Sequence, residues 1–202
     1  LDQPPSTIPM NLKVRELYSN KFLPRPAPPA KPKEFETKLG IPGPWFKGVV
    51  TSKNARTCKQ FIEAHAPAFA LAEARYGVPS EVAAALLFVE TRLGGYLGKY
   101  NAFYMLASMS VTRTPKDIPD TIAALPGVGS RLSWIRQKME VKADWAYDEL
   151  KALLRHCYTN HIDPLTLKGS VYGAIGLCQF MPSNLPRYAV DGDGDHIINL
   201  FT

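Results

Sequence analysis

Glu90 is the residue whose surroundings could turn a carboxyl group into an acid catalyst. It closes an apolar run, Val82 to Val89, inside the stretch SEVAAALLFVETRLGG from Ser80 to Gly95. A carboxyl buried without a partner keeps its proton toward neutral pH, and the protonated form is what acid-catalysed cleavage requires. Two other readings stay open from these residues alone: Glu90 lies past the buried turns, or it pairs with Arg92 or another base.

A second stretch, GSVYGAIGLCQFMPSN from Gly169 to Asn184, mixes small, amide and aromatic residues. Gly169, Gly173 and Gly176 let backbone or ligand approach closely, while Ser170 and Gln179 beside Phe180 and Met181 suit a sugar groove, with ring faces stacked and hydroxyls hydrogen-bonded. Close packing through small residues, with Ser170 and Ser183 as caps, accounts for the same letters. Asp191, Asp193 and Asp195 alternate with glycines in DGDGD, as at positions 1, 3 and 5 of an EF-hand-like calcium loop. His196 stands where position 6 calls for glycine and Thr202 where position 12 calls for an acid, so a solvated acidic turn competes with a structural calcium site.

These residues need helices to hold them. Ser80 after Pro79 reads as an N-cap, and Arg92 with Gly94-Gly95 as the stop, for a helix apolar on every face and therefore surrounded by protein. From about Asn54, the stripe Cys58, Phe61, Ile62, His65, Phe69, Ala72 and Tyr76 predicts a helix kinked or split at Pro67 and ended by Gly77, with His65 as a hydrogen-bonded core histidine. NAFYMLASMSV, residues 101–111, predicts a further apolar helix. Residues 112–130 predict a loop with one short helical turn. Asp144 predicts the N-cap of an amphipathic helix carrying Ala146, Leu150, Leu153 and Cys157 on one face. No long strand alternation and no repeat occurs, so the fold class is mainly α.

The chain of 202 residues is long enough for one sizeable core. Prolines crowd residues 1–45, which read as a Pro-rich extension or tether, Lys13 to Leu23 having room for a short helix; residues 46–202 read as one domain. The net charge of +6 suits an anionic partner, but the basic residues are scattered, and a nucleic-acid surface is not expected. No run is long enough to span a membrane. Position 1 is Leu, which points to a processed or trimmed start. Cys58, Cys157 and Cys178 lack metal spacing; one bridge plus a thiol, or three thiols, fit equally.

In this order, YGVPSEVAAALLFVETRLGGYLGKYNAF (residues 76–103), DPLTLKGSVYGAIGLCQFMPSNLPRYAVDGDGD (residues 163–195) and the following INLF resemble the lytic murein transglycosylase B family of bacterial cell-wall enzymes. The resemblance covers the second two-thirds of the chain. It implies that residues 46–202 are a lysozyme-like helical catalytic domain in the periplasm, with a possible outer-membrane association and possible cell-envelope protein partners for the Pro-rich segment, acting on peptidoglycan glycan strands without a required cofactor. By position, Glu90 matches the catalytic acid; Ser170, Gln179, Phe180, Met181 and Tyr188 match substrate-binding positions; Asp191, Asp193 and Asp195 match a calcium loop of some members. The Pro-rich segment has no counterpart, residues 112–130 look inserted, and the chain stops at Thr202 where the family continues, so a truncated domain or a fragment is expected.

Ordinary glycosidases use two carboxylates. Asp144, Asp148, Glu149 and Asp163 sit in polar or capping contexts, so the implied chemistry uses Glu90 alone, as acid and then base, and closes a 1,6-anhydro ring on N-acetylmuramic acid. A muramidase that lets water attack and a non-catalytic peptidoglycan-binding protein are the alternatives.

Overall fold

Helices dominate the computed structural model, which describes Tyr18 and residues 48–201. The chain divides into two compact units, residues 24–93 and residues 1–23 with 94–202. The boundary expected at 45/46 and the Pro-rich extension, Tyr18 excepted, lie outside the described residues. None of the three cysteines forms a disulfide, and among the described residues no helix is long and apolar enough to cross a membrane.

In the first unit, helix α1 (Ser52–Ala64) begins where the Thr51 side chain accepts the Asn54 N–H at 3.1 Å. The helix expected to kink or split at Pro67 is split at His65, whose N–H closes α1 on the Phe61 and Ile62 carbonyls before α2 (Ala66–Tyr76) starts. Pro67 lacks an N–H, and its place in the first turn of α2 is where none is needed. The break also changes the expected role of His65: its ring is exposed and lies on Phe61 with centroids 4.4 Å apart, rather than in a core. Gly77 ends α2 at φ +70°.

Helix α3 (Ser80–Thr91) is capped by Pro79 rather than Ser80. Both the Ser80 N–H and hydroxyl donate to Glu73 Oε2, at 3.2 and 2.8 Å, so a carboxylate from the preceding helix sits at the positive end of this one. Only Ala84, Phe88 and Thr91 are buried; Val82, Leu86 and Val89 are exposed. The expectation of a helix buried on every face is thereby corrected. The apolar run makes one packed stripe against α1 and an apolar outer face. Arg92 and Leu93, both left-handed (φ 55° and 59°), stop the helix before Gly94.

In the second unit, α4 (Ala102–Val111) is buried almost throughout. Asn101 caps it by accepting from the Tyr104 N–H at 3.0 Å, and its amide donates to Leu165 O at 2.6 Å. Its partner is α6 (Leu132–Thr159), 28 residues and about 42 Å long. Ile135, Met139, Ala143, Ala146, Leu153 and Cys157 keep one apolar stripe in helical phase along its whole length. That continuity carries the helix through Asp144, which is no N-cap but an exposed ion-pair partner of Arg113 at 2.6 Å, a contact worth at most about 1 kcal/mol.

Residues 112–131 hold more structure than the one turn expected. Two 3₁₀ turns, Pro115–Asp117 and Gly129–Arg131, flank α5 (Pro119–Ala123), and Ile118 and Leu125 anchor the segment in the core. Tyr18 is buried in that same core, and desolvation, with the Asp117 charge behind it, pushes its hydroxyl well above the usual tyrosine range. The sheet is a two-residue antiparallel pair, β1 (Tyr100–Asn101) with β2 (Lys168–Gly169), extended by bridges Gly169–Ile175 and Ile175–Phe180. After α7 (Leu185–Tyr188) the chain enters the acidic loop.

Candidate active site

Glu90 occupies the last turn of α3 in the first unit, and its side chain is exposed. The dry setting inferred from the apolar run is absent. Among the described acids of this unit, Glu63 pairs with Lys59 at 3.8 Å, Glu73 caps α3, and Glu81 lies in the first turn of α3. Glu90 accepts no hydrogen bond and makes no ion pair among the described residues, Arg92 having its guanidinium over the Phe88 ring at 4.5 Å instead. A carboxyl so placed is free to meet a ligand oxygen.

The second unit brings Ser170, Gln179, Phe180, Met181 and Tyr188 onto one folded segment. The Ser170 hydroxyl accepts the Tyr172 and Ala174 N–H groups at 3.2 and 3.1 Å, which fills both lone pairs and leaves its O–H as a donor. Gln179 has a left-handed backbone (φ 49°), and its amide donates to Gly176 O at 3.0 Å. Its Oε1 accepts no hydrogen bond among the described residues. Phe180 exchanges two backbone hydrogen bonds with Ile175, at 2.9 and 3.0 Å, and its ring meets that of exposed Tyr188 at 6.3 Å. Met181 follows, half-buried.

The glycines of this segment serve packing rather than ligand access. At Gly173 (φ +84°) a methyl group would lie 2.6 Å from the Leu106 side chain. At Gly176 (φ +76°) it would lie 2.6 Å from Leu200. The close-packing reading therefore holds for the glycines, while the serine and the amide keep unspent hydrogen-bonding capacity.

Two features were missed in the sequence. Glu149, read as a polar-context residue, is buried at 5% exposure, where it accepts the Ser183 N–H at 2.8 Å and the Ser183 hydroxyl at 2.7 Å. The signal was present: Ala146, Glu149 and Leu153 are spaced three and four apart on the buried stripe of α6. The other is an aromatic pair, Trp145 and Tyr172, with the Lys142 ammonium 3.2 and 4.4 Å from the two rings.

The acidic loop is built on its own carboxylates. Asp191 accepts the Gly194 and His196 N–H groups at 2.7 and 2.8 Å, and Asp195 accepts the Ile197 N–H at 2.8 Å. The His196 N–H, followed by that of Gly194, holds the Asp191 carboxyl below the usual range. Oxygens of Asp191, Asp193 and Asp195 lie within 4.8 Å of one another. His196 adopts φ 68°, the backbone conformation for which EF-hand loops use glycine. Three hard oxygen donors around a left-handed sixth residue fit calcium; Thr202 lies outside the described residues. Beyond the loop, Asn160 Oδ1 accepts the Ile198 N–H at 2.6 Å, and the Asn160 amide meets Nδ1 of buried His156 at 3.2 Å. Burial holds the His156 imidazole below its usual pKa.

Comparison with known proteins gives a consistent assignment. Residues 28–202 match the family described as Transglycosylase SLT domain. Membrane-bound lytic murein transglycosylase B of Escherichia coli is 32% identical over 165 residues, a match covering 80% of this chain and 38% of that protein. Among solved structures, the soluble lytic transglycosylase SltB1 of Pseudomonas aeruginosa aligns with a TM-score of 0.66 at 27% identity, over 98% of this chain and 53% of that one. The Escherichia coli lytic transglycosylase Slt35, solved in complex with calcium, aligns with a TM-score of 0.58 at 32% identity, over 76% and 41%. The chain thus spans between about two-fifths and half the length of these relatives.

Proposed function

Because the chain belongs to the transglycosylase SLT family, we propose that it is a peptidoglycan lytic transglycosylase, with residues 46–202 as its catalytic domain and Glu90 as the one acid and base. Protonated Glu90 donates to the oxygen linking N-acetylmuramic acid to N-acetylglucosamine, and the C1–O bond breaks. Ionised Glu90 then takes the proton of the muramic C6 hydroxyl, which attacks C1 and closes the 1,6-anhydro ring. No water is consumed. The observation that carries this reading is the placement of Glu90, exposed and unpaired among the described residues, at the end of a helix inside the matched family region.

Substrate contacts follow from the leftover hydrogen-bonding capacity. The Ser170 O–H donates to an acetamido or lactyl oxygen, Gln179 Oε1 accepts from an N–H or hydroxyl, and Phe180, Met181 and Tyr188 offer apolar contact to the sugar faces. Exposed Leu86 and Val89 beside Glu90 give a glycan an apolar surface to cover, which takes water away from the carboxyl. The substrate places the protein in the bacterial cell envelope, on the periplasmic side. Isolated sacculi incubated with the chain are expected to release soluble muropeptides; binding to sacculi without release would favour a non-catalytic peptidoglycan-binding protein.

A calcium ion held by Asp191, Asp193 and Asp195 would tie the loop that follows Tyr188 and supply charge neutralisation rather than chemistry. With calcium at about a hundred times its Kd, the gain of about 2.7 kcal/mol corresponds to a rise in Tm of about 5–10 °C over chelator-treated protein. Asp193→Asn should remove most of that rise. Equal melting with calcium and with chelator would contradict the calcium assignment.

A further inference from the structure

We infer that Glu149 is a positioning residue for substrate binding, holding the segment that carries Gln179, Phe180 and Met181 against helix α6. The inference rests on the function proposed above and adds a residue to it. Between the Ile175–Phe180 pairing and Ser183 the chain has only Met181 and Pro182, and the proline ring fixes one of the intervening torsions. One end of this short span is fixed by two backbone hydrogen bonds to Ile175. The other end is fixed by the two hydrogen bonds that Glu149 accepts from Ser183. Gln179 lies next to the first anchor, tied to Gly176 by its own N–H and side-chain amide.

A carboxylate at 5% exposure is an expensive way to join two elements, since an apolar contact of similar volume would do so without desolvating a charge. What the carboxylate supplies is direction. Its two oxygens are matched one to one with the N–H and O–H of a single residue, at 2.8 and 2.7 Å, so the join has one register. A glutamine at 149 can still accept the Ser183 N–H, but its NH₂ group must meet a hydroxyl turned round to accept, so two charge-assisted hydrogen bonds become two neutral ones of roughly half the strength. Slack at Ser183 passes through Pro182, Met181 and Phe180 to Gln179.

The test compares the parent with Glu149→Gln, Ser183→Ala and the double variant, each assayed well below its melting temperature. Expected are a rise in KM for soluble peptidoglycan strands of about tenfold with kcat within about twofold, and a double variant no worse than Glu149→Gln. The Ile175 and Phe180 amides should exchange faster in Glu149→Gln. Gln179→Ala should raise KM in the parent but little further in Glu149→Gln. A folded Glu149→Gln with parent KM and parent exchange at these amides would overturn the inference. A parent that releases nothing from sacculi would instead overturn the proposed activity; amide exchange then decides on its own, unchanged rates in Glu149→Gln counting against the positioning role.

Discussion

Glu90→Gln is expected to reduce release of soluble muropeptides from sacculi on the order of a hundred- to ten-thousand-fold, the range that general acid–base groups contribute. The amide keeps the size and polarity of the side chain and removes only the transferable proton. Because Glu90 is exposed and accepts no hydrogen bond among the described residues, nothing in the packing of α3 changes with it. The melting temperature should stay within about 2 °C of the parent, as for an ordinary surface substitution. Thermal melting and a turbidity assay on the same preparation measure both halves of the expectation. Retained activity would remove Glu90 from the chemistry; lost activity with a large fall in Tm would mean that Glu90 supports the fold.

A large effect on stability is expected at Gly173. Its φ of +84° is strained for any residue with a Cβ, and the added methyl would meet three Leu106 side-chain carbons between 2.6 and 2.9 Å away. Leu106, on α4, is fully buried in the core. Left-handed strain and overpacking together make Gly173→Ala worth roughly 2–5 kcal/mol, a fall in Tm of about 5–20 °C. Gly129→Ala is the control: φ is not positive, nothing lies within 4 Å of an added Cβ, and melting should be unchanged or slightly higher. Equal melting of Gly173→Ala and the parent would show that this segment is not seated on Leu106 as described.

Local signals were legible where one residue decides the backbone. Gly77 marks a helix end because a left-handed terminus is a local event. The mainly helical class followed from apolar spacing alone. Signals failed where a distant partner decides. Asp144 looks like a cap, yet the apolar stripe on both sides of it outweighs the local preference, and the side chain pairs across to Arg113 instead. His65 has core spacing, but Pro67 breaks the helix and turns the ring outward onto Phe61. The run from Val82 to Val89 reads as buried because spacing counts apolar residues and not the neighbours available to cover them; α3 packs one stripe and exposes another. At the candidate site, the identities of Ser170 and Gln179 could be read, while their directions could not: those come from backbone amides that fill the serine's lone pairs and a carbonyl that takes the glutamine's N–H.

The most direct measurement of the proposed chemistry is the mass of the fragments that the chain releases from purified sacculi. A reaction in which the muramic sugar's own hydroxyl displaces its neighbour gives muropeptides ending in a 1,6-anhydro ring, lighter by one water than the hydrolysed products. Fragments carrying the added water as a reducing end would contradict the account and make the protein a muramidase.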